Sequence, residues 1–395
     1  MNKGAARLNE VKASKIRAVS DKANALEALG RSIIRFSTGE PDFATVSSIK
    51  QATIQAIEDN YSHYASNRGD LKLRKEVAQL VECHHGIVYD PSEEILITSG
   101  GSEAINHVML GLINPKDEVI VCTPAFLSYE NMIHMAGGIF IDVPLKKENG
   151  FQLDIEDIKK AITPRTKMIV INNPCNPTGA VYDPMSIQAL CDVCIQHDLL
   201  VFSDEIYDQL VYDDRECRSI AAYPSMKQRT IMMNGFSKAY AMTGWRLAYL
   251  CAPKELIEPL LKVHQYATTC APTFIQVGVA NVMNNEATRK EVQEMVRCFD
   301  QRRQMVIQRL KEIPELDFVR PQGAFYIFID VSKTGLDGQQ FADALLEEKG
   351  VAVVPGNAMG SQCDDFIRLS YATSDENVMM GMQLIKEFIK ELQRG

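Results

Sequence analysis

A chain of 395 residues exceeds the size at which one core usually keeps growing, so a large domain with a smaller one is expected, and a fold dependent on disulfide staples is excluded. With 46% hydrophobic and 24% charged residues the composition is that of a soluble globular protein able to bury a sizeable core. Forty-two basic against fifty-one acidic side chains give a formal charge of −9, which argues against general affinity for nucleic acid or anionic lipid and favours a small ligand.

The chain starts with a basic segment, Met1 to Arg17, in which Leu8, Val11, Ile16 and Val19 read as the buried face of a short helix rather than as a transit peptide. Phe36 to Phe43 reads as extended, because Gly39-Glu40-Pro41-Asp42 is turn-forming, and it is expected to dock between the two domains. From about 45 to 280, short apolar runs alternate with amphipathic ones, the pattern of parallel strands joined by helical crossovers. Strands are predicted at 94–98, 118–122, 167–171, 199–202 and 230–233. After about 285 the character changes: a long charged helix, Thr288 to Ile313, precedes apolar strands at 324–329 and 366–369, as in a smaller α+β domain. The division expected is therefore 1–44, an N-terminal segment packing with the small domain, 45–284, the large domain, and 285–395, the small one.

No run of about eighteen apolar residues suggests a membrane span. The ten cysteines are irregularly spaced and no apolar signal core follows Met1, so reduced thiols in the cytoplasm are expected. Cys191 and Cys194 stand alone as a pair within a helical pattern, Ser186 to His197, where they share a buried face with Leu190. The histidines show no ligand spacing and read as solvated, so no metal site is expected.

In open parallel sheets ligands bind beyond the carboxyl ends of the strands, so the residues following each strand are the informative ones. Lys238 and Arg246 lie in Gly235-Phe236-Ser237-Lys238-Ala239-Tyr240-Ala241-Met242-Thr243-Gly244-Trp245-Arg246, after the strand at 230–233. Asn176 lies in Asn172-Asn173-Pro174-Cys175-Asn176-Pro177-Thr178-Gly179, a loop stiffened by two prolines and a glycine. Asp204 and Tyr207 lie in Ser203-Asp204-Glu205-Ile206-Tyr207, where a carboxylate beyond a buried strand needs a cation or donor.

With Thr98-Ser99-Gly100-Gly101-Ser102, Thr123-Pro124-Ala125-Phe126, Gly39-Glu40-Pro41-Asp42-Phe43 and Phe366-Ile367-Arg368-Leu369-Ser370, these segments resemble the class I aminotransferases of the pyridoxal-phosphate fold type I, in the family's order from about residue 30 to 375. The resemblance implies an α/β fold in which a large domain, built on a mostly parallel seven-stranded sheet flanked by helices, carries a smaller α+β domain. It implies pyridoxal 5′-phosphate as cofactor, amino-acid and 2-oxo-acid substrates, a ping-pong transfer, and a homodimer with shared active sites. Lys238 matches the lysine that forms a Schiff base with the cofactor and then moves the proton, aided by Arg246, which is expected to depress its pKa. Asp204 matches the carboxylate paired with the pyridine nitrogen, Tyr207 and Asn176 the donors to the phenolic oxygen, and Phe126 the stacking aromatic. Gly100, Gly101 and Ser102 at a helix start, with Ser237 and Arg246, match the phosphate site. Tyr64 matches a tyrosine that reaches the neighbouring subunit's phosphate.

Arg368 matches the arginine that grips the substrate carboxylate, with Gly39, Phe126 and Asn176 also at the substrate. Many relatives carry serine where this chain has Gly235, which implies one phosphate contact fewer. Relatives that read aspartate through a lysine beside the phosphate loop would need it at Ser102, so neutral, aromatic or longer side chains are the open classes. The rivals are a β-lyase on the same scaffold, marked by pyruvate and sulfide release from a cysteine conjugate, and a non-catalytic sensor, for which the chain lacks a nucleic-acid-binding module.

Overall fold

The computed structural model describes residues 4–394, so Met1 to Lys3 of the basic start, and Gly395, lie outside it. Helix α1 (Lys15–Ala28) leads to a short strand β1 (Ile34–Arg35), then α2 (Ser47–Glu58) and α3 (Leu71–His85). An alternating series follows: β2 (Ile95–Thr98), α4 (Gly101–Leu112), β3 (Glu118–Thr123), α5 (Ser128–Met135), β4 (Ile139–Pro144), α6 (Ile155–Ala161), β5 (Thr166–Asn172), α7 (Pro184–Gln196), β6 (Leu200–Asp204), β7 (Thr230–Gly235) and β8 (Ala248–Cys251). The chain then runs through α8 (Lys254–Ala267), α9 (Thr273–Val282) and α10 (Glu286–Leu310) into β9 (Asp317–Phe318), β10 (Tyr326–Asp330), α11 (Gly338–Lys349), β11 (Val351–Ala352), β12 (Val354–Pro355), β13 (Phe366–Ser370) and α12 (Asp375–Leu392).

The central sheet has seven strands in the order β2-β8-β7-β6-β5-β3-β4, all parallel except β8, which runs against both its neighbours. Its interior strands β3 and β7 are buried along their length because helices cover both faces, leaving no solvated side to alternate toward. Each Val, Ile or Leu buried there stabilises the sheet by roughly 1.5–3 kcal/mol. The register sets Asn172 beside Asp204 and Asp204 beside Met233, so the loops after β5, β6 and β7 emerge side by side at one sheet edge. Strands β4 and β8 were not predicted. Strand β4 lies at the sheet edge with half-buried side chains and an aspartate.

A second sheet, β12-β13-β10-β9, is antiparallel throughout and pairs Arg368 of its inner strand β13 with Phe328 of β10. The extended segment after β1 hydrogen-bonds to this sheet, Ser370 N–H to the Phe36 carbonyl at 2.8 Å, and then ties itself to α10 through Asp42 and Arg302 at 2.7 Å.

Two expectations fail locally. The N-terminal helix starts only at Lys15, because the Ser14 hydroxyl caps it by accepting the Arg17 N–H at 3.2 Å. Leu8 sits on a separate short turn, 47% exposed, and Val11 lies between the two; Ile16 and Val19 alone pack inward. Nor are the histidines all solvated: His85, His107 and His264 are buried, on the core-facing sides of α3, α4 and α8. Leu190, Cys191 and Cys194 share the buried face of α7.

Candidate active site

The loops after β5, β6 and β7, the start of α4 and the Ser37–Glu40 segment enclose a cleft of about 480 Å³. Among the expected residues, Gly39, Gly101, Ser102, Phe126, Asn176, Asp204, Tyr207, Ser237, Lys238, Arg246 and Arg368 line it. Gly100 lies just behind, and Tyr64 is elsewhere.

Asp204 ends β6 on the cleft floor, 4% exposed. One carboxylate oxygen accepts from the Tyr129 hydroxyl at 2.5 Å and the other from the Ile206 N–H at 3.1 Å. Burial nonetheless pushes its carboxyl up to about 6, since these donors and Lys238 only partly replace lost hydration. A buried carboxylate poised this way strengthens when a cationic partner arrives. Tyr129 lines the cleft, and the sequence motifs missed it. Its signal was the spacing of three from Phe126 across the start of α5, and the two rings meet edge to face at 5.9 Å.

Lys238 extends from the loop after β7, and its ammonium donates to the Gly39 carbonyl and lies 5.7 and 5.6 Å from the ring centres of Tyr207 and Phe325. Burial first, then the Arg368 charge, holds the amine down to about 8, while Glu40 and Asp204 pull the other way. Arg246, expected to depress it, contributes least of these. Such an amine has a substantial neutral fraction near pH 7, as a nucleophile or proton carrier requires. In the chain on its own, the labelling rate of Lys238 by a small amine reagent should therefore rise about tenfold per pH unit and level off above about 8. Exposed lysines should keep gaining at higher pH, and mass spectrometry of briefly labelled samples separates the two; a Lys238 profile that follows the exposed lysines would refute the shift.

Arg368 projects from β13 and is 2% exposed. Its two terminal nitrogens donate to Asn176 Oδ1 and to the Ser37 carbonyl, both at 3.0 Å, its guanidinium lies 4.5 Å from the centre of the Tyr326 ring, and its Nε has no partner. A buried guanidinium with one unfilled donor and only neutral acceptors is suited to a carboxylate. Tyr326, also unforeseen, shares a hydrogen bond with Tyr207 at 2.9 Å. A Cβ on Gly39 would come within 3.0 Å of the Tyr326 hydroxyl, so glycine lets the main chain approach here.

At the other end of the cleft, α4 begins at Gly101 with its first amides free of helical partners. Gly100 has φ +89, and a side chain there would strike the guanidinium of Arg246, which donates to the Thr243 carbonyl at 2.9 Å. Helix amides, Ser102, Ser237 and Arg246 together make a pocket for an anion. Gly235 does not belong to it. A Cβ there would sit 2.7 Å from the Cβ of Ala248, so β7 packs closely on β8 at this position.

Tyr64 is 84% exposed and away from this chain's cleft. Near the anion pocket, Ile54, Ile57, Trp245, Phe274 and Ile275 line an open apolar groove of about 800 Å³ that also touches Arg246 and Ser99.

Among the described residues no helix is long and apolar enough to cross a membrane. The family model described as Aminotransferase class I and II matches residues 31–385. The chain is 39% identical over 385 residues to aromatic-amino-acid aminotransferase 2 of Thermococcus litoralis, covering 98% of each protein. It is equally 39% identical over 385 residues to an aspartate aminotransferase of Pyrococcus abyssi, again covering 98% of each. Among solved structures, the aspartate aminotransferase from Thermus thermophilus with maleate superposes with a TM-score of 0.93 at 37% identity, covering 98% of this chain and 100% of that one.

Proposed function

The chain belongs to the class I and II aminotransferases, with the fold type I architecture and amino-acid aminotransferase activity, and from that premise we propose that it holds pyridoxal 5′-phosphate in the cleft between β5, β6 and β7. The observation that carries this reading is one cleft containing a lysine held down to about 8, a buried carboxylate pushed up to about 6 and an anion pocket at a helix start. The donor set fits the group: a carboxylate for a pyridinium N–H, an amine for an aldehyde, and amides with Arg246 for a phosphate. When bound, the cofactor supplies a sink for the electron pair left at the substrate α-carbon.

The chain's own residues do the rest. Asp204, fixed by Tyr129, offers the negative charge that keeps a ring nitrogen protonated. Tyr207 and Asn176 present polar groups beside it, and Phe126 presents a ring face. Lys238, once freed, is the base that takes a proton from the α-carbon and returns it elsewhere, while Arg368 and Gly39 hold the substrate carboxylate. A single site of this kind serves amino donor and oxo acceptor in turn, as a ping-pong enzyme.

For the substrate side chain, the cleft offers Ile16, Ile105, Phe126 and Tyr129 with the hydroxyls of Ser20 and Ser102. Its three cations, Lys238, Arg246 and Arg368, are all engaged by this chemistry, so neutral and aromatic amino acids are the favoured class. Tyr64 and the apolar groove beside Arg246 suit a second copy of the chain, in a homodimer whose partner completes each phosphate site. The division at 44 and 284, and a reducing cytoplasmic setting for the ten cysteines, belong to the same reading.

The test is to add single amino acids to the purified, cofactor-loaded protein without oxo acid, recording the ultraviolet and visible spectrum. Aromatic and neutral amino acids are expected to convert the aldehyde form of the cofactor to its amine form faster than aspartate does. Absence of cofactor absorption after loading would sink the cofactor assignment, and a faster response to aspartate would sink the side-chain reading.

A further inference from the structure

Beneath the anion pocket, outside the residues used above, Glu103 and His107 of α4 meet His264 of α8. Glu103 and His107 are four residues apart and therefore share a helix face. Both imidazoles have no solvent exposure, and the Glu103 side chain has 12%. His107 Nε2 and His264 Nδ1 are 3.2 Å apart, and Glu103 Oε1 lies 3.3 Å from the first and 3.6 Å from the second. A triangle of these sides has its centre about 2 Å from every corner, the length of a zinc–nitrogen or zinc–oxygen bond, so the separations suit one shared ion. The Thr268 hydroxyl, hydrogen-bonded to the same Glu103 oxygen, adds a fourth polar atom beside them.

Without an ion these contacts are poorly satisfied. Two neutral imidazoles can place only one proton between their facing nitrogens, and the outer nitrogens, His107 Nδ1 and His264 Nε2, have no partner in either tautomer. An ion leaves the same outer nitrogens unpartnered while bonding all three inner atoms, so it improves the cluster at no further cost in orphaned groups. Two imidazoles and one carboxylate suit zinc-type ions and not magnesium or calcium, which favour all-oxygen shells.

We propose that Glu103, His107 and His264 bind one divalent ion of the zinc type, stapling α4 to α8. Glu103 also accepts the Ser99 N–H through its other oxygen, so the ion would fix the 99–102 turn that opens the anion pocket and add positive charge beneath it.

The test uses the full-length protein, freed of metal by a chelator and then titrated with Co²⁺ or Zn²⁺ alone. One tightly bound equivalent is expected, with the visible absorption of low-symmetry Co²⁺, displacement by Zn²⁺ and a raised Tm. His107→Gln and His264→Gln should each weaken binding by about 100-fold or more. His134→Ala should change nothing, although His134 lies 3.1 Å from Glu10 in the more accessible histidine–carboxylate group. Should the cluster variants fail to fold, zinc-edge anomalous scattering from wild-type crystals soaked in Zn²⁺ decides, with a peak expected between the three side chains. No bound equivalent, binding that survives His107→Gln, or a peak elsewhere would show that the cluster holds only a proton.

Discussion

Replacing Lys238 by alanine is expected to lower kcat by at least about four orders of magnitude while leaving the fold intact, because nucleophile and proton carrier are lost together. The structural cost is small, since the ammonium's one hydrogen-bond partner is the Gly39 carbonyl, which borders an open cleft and can turn to water. Burial disfavours the charged amine, so the variant without cofactor should unfold no earlier than the wild type on heating. Lys238→Arg sharpens the result. It keeps the charge but has no accessible neutral form, so it should be as inactive as alanine. Steady-state rates with a reactive amino-donor and oxo-acid pair, beside thermal unfolding of all three proteins, provide the check. Activity in either variant within tenfold of wild type would remove Lys238 from the mechanism.

Asp204→Asn carries the second large effect, a fall in kcat of about a thousandfold, the size expected when one preorganised charge at a developing transition state is removed. Asparagine keeps the shape, and its one carbonyl can still accept from Tyr129 while the Ile206 N–H loses its acceptor, so the loss reports mainly the charge. Tyr129→Phe makes the complementary change: it keeps the charge but removes the 2.5 Å hydrogen bond. Burial already pushes the Asp204 carboxyl up to about 6, and losing its strongest donor pushes it higher. The acid limb of the pH–rate profile should therefore move toward neutrality, with a modest fall in the plateau. Rate profiles from pH 5 to 9 distinguish the two variants, and a Tyr129→Phe profile superimposable on wild type would show that the hydroxyl does not tune Asp204.

The parts of this site that the sequence disclosed are those where chemistry and chain position coincide. Lys238, Asp204 and Asn176 each follow an apolar strand, and parallel strands deliver their carboxyl ends to one edge, so three loops far apart in the chain could be read as neighbours. Tyr129 and Tyr326 were hidden because an aromatic residue near a helix or strand start reads equally well as core filler. The buried histidines were hidden for a different reason. The four-residue spacing of Glu103 and His107 was visible, but His264 comes from another helix, and only the packing of α4 on α8 unites them. The closeness of Gly235 to Ala248 was hidden as well, since only the strand register brings the two together.

The short run of main chain from Ser37 to Gly39 makes ligand entry an exchange rather than a simple addition. Its carbonyls accept from two cations of the cleft, Ser37 from Arg368 and Gly39 from Lys238. A carboxylate that displaces the Ser37 carbonyl from Arg368 would gain a charge-assisted bond but forfeit a neutral one, so its net grip would be the difference between the two. Occupancy should thus be governed by how readily this strap yields, and a substitution that stiffens or loosens it, at residues that never touch the reacting atoms, would retune affinity for both substrates at once.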